Sequence, residues 1–142
     1  MFRGRISSYG SDYLLLPTYP ADLGKPDKVY LQSPGASMVI LVWLDPAQSG
    51  HVRMSLDEIA PGSWIVDKFQ PPVSQDVTIN GQPGIWTEGP YMLEARNHNY
   101  VERRLVEGHA LIWKQGDITY RLETDQPLEE AIKIAASLKP NR

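Results

Sequence analysis

The sequence predicts an α+β domain: a mainly antiparallel β-sheet of about eight to ten strands with a C-terminal amphipathic helix packed on one face. Three observations lead there. From Val29 onward, strand-length segments with period-2 or continuously apolar character follow one another. Asn80-Gly81 sits between two of them and readily supplies the positive φ of a tight hairpin turn. At Leu128 the hydrophobic period switches from that of a strand to that of a helix. The 142 residues fit a single domain, at a length where roughly 68–70% of the unfolded surface is buried on folding.

Residues 1–12 are polar, glycine-bearing and aperiodic, and read as a flexible leader to one domain spanning 13–142. The stretch YLLLPTYPADLGKPDK mixes prolines and a glycine with apolar residues. Proline fixes φ and removes a donor, so an extended, turn-rich segment laid over a core is expected there. VYLQ then leads through SPGAS into MVILVWLD, whose unbroken apolar run suggests a central strand covered on both faces. Val52, Met54 and Leu56 alternate with Arg53, Ser55 and Asp57, as in a half-buried strand. WIVDKF alternates less cleanly from Trp64, and DVTINGQPGIWT makes a hairpin around Asn80-Gly81. YMLEAR and YVERRLVE read as two more polar strands, at a sheet edge or folded over as a lid.

ALIW and ITYRLE flank KQGD as a second hairpin, with Ile118, Tyr120 and Leu122 on one face. Leu128, Ala131, Ile132, Ala135 and Leu138 then define the inward side of a helix. Thr124 or Asp125 would accept from its first amides, Glu129 and Glu130 suit its positive end, and Lys139-Pro140 would stop it.

Composition excludes several function classes. There is no cysteine, so disulfides, thiolate metal sites and thiol nucleophiles are absent. With 14 basic against 17 acidic residues and no basic cluster longer than Arg103-Arg104, nucleic acid is not an expected partner. No apolar run approaches the ~18 residues of a membrane span, and no signal peptide opens the chain. Either the protein is cytosolic, or Met1 stands inside something longer.

Catalytic motifs are missing in the same way. His51, His98 and His109 are far apart and form no HxxxH pair, so no metal or cofactor is expected. His109, beginning a strand after Gly108, reads as a strand-end residue bonded to backbone. Ser37 and Ser63 sit in turns rather than in a GxSxG elbow. Asp57 and Glu58 are neighbours in a strand and point to opposite faces, so they cannot serve one substrate together. Trp43 and Trp113 lie within strand patterns and read as core. The remaining candidates are in WTEGPYM, where Trp86 and Tyr91 bracket Glu88-Gly89-Pro90. Aromatic side chains on a turn beside a carboxylate suit a small ligand or a protein contact, but a hairpin that folds both back onto the sheet explains them without function and is the preferred reading.

LPTYPADLG, TINGQPGIW and LIWKQGDITYRLETDQPLEEAIKIAASL together resemble a bacterial family of domains of unknown function. That family combines an apolar-proline opening, an NG hairpin and a closing hairpin and helix; the likeness spans most of residues 13–139. Its members form the C-terminal, extracytoplasmic part of membrane-anchored proteins related to anti-sigma factors or to lipoprotein-sorting proteins. The resemblance implies a tethered domain outside the cytoplasm and brings no catalytic residues. This chain carries neither a membrane segment nor a zinc-binding anti-sigma module, so no sigma-factor contact is assigned to it. The expected function is a noncatalytic sensory or protein-interaction domain of a membrane-anchored regulator. The alternative is a carrier that holds a lipid or other apolar molecule between sheet and cover.

Overall fold

The computed structural model describes residues 2–3, 14–32, 38–60, 65–69, 73–97, 100–106 and 108–140. The strands are β1 (Phe2–Arg3), β2 (Leu15–Leu16), β3 (Lys28–Gln32), β4 (Met38–Leu44), β5 (Val52–Ile59), β6 (Ile65–Phe69), β7 (Val73–Ile79), β8 (Gln82–Glu88), β9 (Tyr91–Asn97), β10 (Tyr100–Val106), β11 (His109–Gln115) and β12 (Ile118–Thr124). Helix α1 (Leu128–Ala136) and β13 (Lys139–Pro140) follow. The architecture is the mainly antiparallel α+β arrangement expected from sequence. Eight strands form one sheet in the order β1-β3-β4-β5-β12-β11-β8-β7, three form a second, β10-β9-β6, and β2 pairs with β13. Of the leader, Phe2 and Arg3 stand opposite Leu31 and Tyr30; the rest of it, the SPGAS turn, Trp64 and His98 lie outside the described residues.

Chain order and sheet order differ in an instructive way. The chain builds β3 to β5, leaves for β6, returns for β7 and β8, leaves again for β9 and β10, and returns for β11 and β12. The two excursions together make the three-stranded sheet. YMLEAR and YVERRLVE belong to the second sheet, where YVERRLVE takes the edge position expected of a charged strand. They are β9 and β10, paired along their whole length from Tyr100↔Asn97 to Val106↔Tyr91.

Registers place the core on one face of the main sheet. A central row runs Val29, Leu41, Leu56, Leu122, Leu111 and Trp86 across six strands. The row beside it runs Leu31, Val39, Glu58, Tyr120, Trp113 and Gly84. A Cβ at Gly84 would lie 2.7 Å from Ile79 Cδ1, 3.0 Å from the Ile112 carbonyl oxygen and 3.3 Å from Trp113 Cβ; glycine there lets Ile79 and Trp113 pack close to β8. The Trp113 ring stacks on Tyr120 with centroids 5.4 Å apart. Asn80 and Gly81 have φ of 51° and 81°, the two positive values the tight hairpin needs.

This face is covered by α1 and by a strap of residues 14–24, the apolar-proline opening. Leu23 of the strap and Ala131, Ile134 and Ala135 of the helix are buried in the shared interior, with Leu15, Leu16 and Tyr19 of the strap packed against it. Ser137 clamps the two together. Its Oγ accepts from the Thr18 and Tyr19 amides at 3.0 and 3.2 Å and donates to the Ile134 carbonyl at 2.7 Å, while its own carbonyl accepts from Thr18 Oγ1 at 2.9 Å. Tyr19 also donates to Glu130 Oε1 at 2.7 Å. That bond holds the tyrosine hydroxyl above its ordinary range and the Glu130 carboxyl below its own.

Three expectations are corrected. MVILVWL is covered unevenly: Leu41 and Trp43 on the core face are buried and the other residues of β4 are half-buried. The helix's deepest face is Ala131, Ile134 and Ala135, with Leu128, Ile132 and Leu138 at its margins. Pro127 opens the helix without a side-chain cap; Thr124 Oγ1 instead accepts from the Gln126 amide at 3.1 Å, one residue before that position. Lys139-Pro140 follows the helix end as expected and in addition pairs with Leu16 and Leu15.

Candidate functional site

The sequence candidates converge on the place where the second excursion leaves the main sheet. Trp86 and Glu88, two residues apart on β8, share the core face, and the Trp86 indole Nε1 donates to Glu88 Oε2 at 2.9 Å. His109, opening β11, is the cross-strand partner of Glu88, and its ring lies 5.1 Å from Trp86. Thr124 stands next in the same row. The Gly89 amide donates to the Gly108 carbonyl at 2.9 Å, closing the two ends of the excursion on each other. Between those glycines lie β9 and β10, and β9 pairs in addition with β6.

Trp86 is held on the strand read from DVTINGQPGIWT and not on a turn; at 1% exposed it belongs to the core. Burying an indole requires a partner for its N–H, and Glu88 supplies it. Glu88 is half-buried beside it. Tyr91 opens β9 opposite Val106, and its side chain lies outside the described residues. His109 is the strand-end residue expected, paired in register with Glu88 and Thr124; its Nδ1 is buried with no hydrogen bond among the described residues, and its ring packs on Trp86. The indole–carboxylate bond and the imidazole thus lie together beside the Gly89–Gly108 hydrogen bond from which the β9–β10 hairpin departs.

One polar group went unanticipated. Glu58 continues the row Val52, Met54, Leu56 and so faces the core, only 6% exposed. Its Oε1 accepts from the Leu15 amide of the strap at 3.1 Å; its Oε2 is buried with no hydrogen bond among the described residues. Burial pushes this carboxyl up to about 8, the Leu15 amide pulling only weakly the other way. Neighbouring Tyr120 is raised by its own burial and by Glu58. On the opposite face, Arg121, 3% exposed, pairs with Glu123 Oε2 at 3.0 Å and Asp57 Oδ2 at 3.9 Å. Asp57 and Glu58 thus lie on opposite faces, as their adjacency in a strand requires.

Among the described residues no three His, Asp or Glu side chains come together as a metal would need, and no helix is long and apolar enough to cross a membrane. The class defined by fold and site is an antiparallel α+β domain with a second small sheet anchored at a packed polar joint. Comparison with models of known protein families, with curated proteins and with solved structures finds no match.

Proposed function

We propose that this is a noncatalytic protein-interaction domain, the extracytoplasmic part of a membrane-anchored regulator, with the β9–β10 hairpin as its contact element. One observation carries the reading. Met92 and Leu105 are 54% and 52% exposed and stand directly opposite each other on β9 and β10. Two large apolar side chains side by side on the β9–β10 hairpin form a surface that a partner's burial would stabilise. The packed joint at Trp86, Glu88 and His109 supports the same reading, because a contact element binds well only when its base is fixed. The extracytoplasmic setting is supported by the sequence resemblance. A carrier is the weaker alternative: strap and helix, not a guest molecule, pack against the core face of the main sheet.

The test is a photo-crosslinking amino acid placed at Met92 or Leu105, with Val52, 48% exposed on the main sheet, as control. Discrete adducts in the native host at 92 and 105, and none at 52, are expected. Their absence overturns the contact surface. For the tether, sequencing upstream of the Met1 codon should find an in-frame apolar segment of about 20 residues; a ribosome-binding site directly before Met1 would overturn that part.

A further inference from the structure

We infer that the partner of this hairpin is a second copy of the same chain, joined edge to edge through β10; the inference rests on the hairpin being a contact surface. Among the described residues β10 stands last in the order β10-β9-β6, with β9 on one side only. An edge strand can accept another strand along its outer backbone groups. Charge at an edge ordinarily discourages this, and β10, Tyr-Val-Glu-Arg-Arg-Leu-Val, carries three charged residues.

The order of those charges reverses the argument. Two antiparallel copies related by a two-fold axis must set one residue against its own copy. With Arg103, the middle of the seven-residue strand, on the axis, every position of β10 finds a partner. Glu102 stands opposite Arg104 twice, Val101 opposite Leu105 twice and Tyr100 opposite Val106 twice. Opposite charges across an antiparallel pair are stabilising. Only Arg103 meets its like, and in each copy its cross-strand partner on β9 is Glu94, so that row reads Glu-Arg-Arg-Glu. Moving the axis one residue either way sets Glu102 or Arg104 against itself and leaves the other charges opposite apolar or aromatic residues. The favoured register also extends the exposed pair, because the row Met92, Leu105 continues into Val101 of the second copy. Two three-stranded sheets become one of six strands.

Analytical ultracentrifugation of the full chain should show a concentration-dependent species of twice the 16.0 kDa chain mass. Glu102→Arg and Arg104→Glu should each sediment as monomer, because each sets like charges face to face. An equimolar mixture of the two should dimerise, because the arginine introduced in one variant then stands opposite the glutamate introduced in the other. A wild-type chain that stays monomeric at millimolar concentration, or folded single variants that still dimerise, overturns the inference. Should the charge variants fail to fold, the absence of native cysteine provides a second readout. Arg103→Cys lies on the axis and should form a covalent dimer under mild oxidation, whereas Gln75→Cys, exposed on β7 at the far edge of the main sheet, should not; no preference for position 103 overturns the inference. The adducts at Leu105 separate the two readings. A cross-link to the chain itself supports both, one to a different protein overturns the second copy and leaves the contact surface standing, and none overturns both.

Discussion

Glu58 is the residue on which stability turns with pH. Its carboxyl is raised from an ordinary 4.5 to about 8 by burial on the core face. Between those values the folded protein keeps a proton that the unfolded chain has released, so stability falls as pH rises. The contribution is fully present below about 4.5 and is lost as pH rises through about 8, at up to ~1.4 kcal/mol per pH unit from this group. Urea denaturation of the wild type should therefore give a lower midpoint at pH 8.5 than at pH 5. Glu58→Gln, which stays neutral and keeps an oxygen for the Leu15 amide, should flatten that slope; an unchanged slope would place its origin elsewhere. The position was legible in outline, since Glu58 continues the alternation of Val52, Met54 and Leu56. The sequence reading stopped at Leu56 because a carboxylate at the next inward position violates the usual pattern. Trp86 shows the converse. DVTINGQPGIWT places it on a strand while WTEGPYM places it beside a turn, and only the pairing of β8 with both β7 and β11 shows how deeply it is buried.

Among the elements, the strap and the helix depend on each other. Neither pairs with the main sheet through backbone ladders, and their shared anchor is Ser137, with two strap amides on its Oγ. Ser137→Ala removes both acceptor contacts and the bond to Ile134. These groups are partly solvated, so the expected cost is about 1–2 kcal/mol, seen as a fall of roughly 2–4 °C in Tm per kcal/mol. A change below one degree would mean that water replaces the hydroxyl without loss. The helix itself was plain from its period, and its inward face was placed about one residue off centre. The pattern 131, 134, 135, 138 is as regular as the one read from 128, 131, 132, 135, and only the sheet beneath selects between them. The hairpins were read correctly because their determinants are local: Asn80-Gly81 and Gly116-Asp117 carry the turn in their own backbone preferences.

For the whole molecule, β5 and β12 join the two halves of the main sheet, from Thr119↔Ile59 to Thr124↔Met54. Trp43 lies in the first half, Trp86 and Trp113 lie in the second, and all three share one interior. Unfolding should accordingly be a single cooperative transition. Tryptophan fluorescence of Trp43→Phe and of Trp113→Phe should each coincide with its own far-UV circular dichroism curve. Separate midpoints would divide the domain in two. The strand count, the antiparallel class and the closing helix all followed from sequence, while the strand order did not, because long-range pairing leaves no periodic signal.

The sequence by itself determined what depends on neighbours along the chain: strands by alternation, turns by residues that tolerate positive φ, and the helix by its change of period. Tertiary structure alone decided what depends on neighbours in space. It seated Glu58 under the strap, buried Trp86 against Glu88 and His109, and gathered β6, β9 and β10 into a second sheet with Met92 and Leu105 on its surface. Burial and pairing are properties of surfaces that meet only after folding, and an acidic side chain or an apolar pair has no mark in the sequence to say which side it will face.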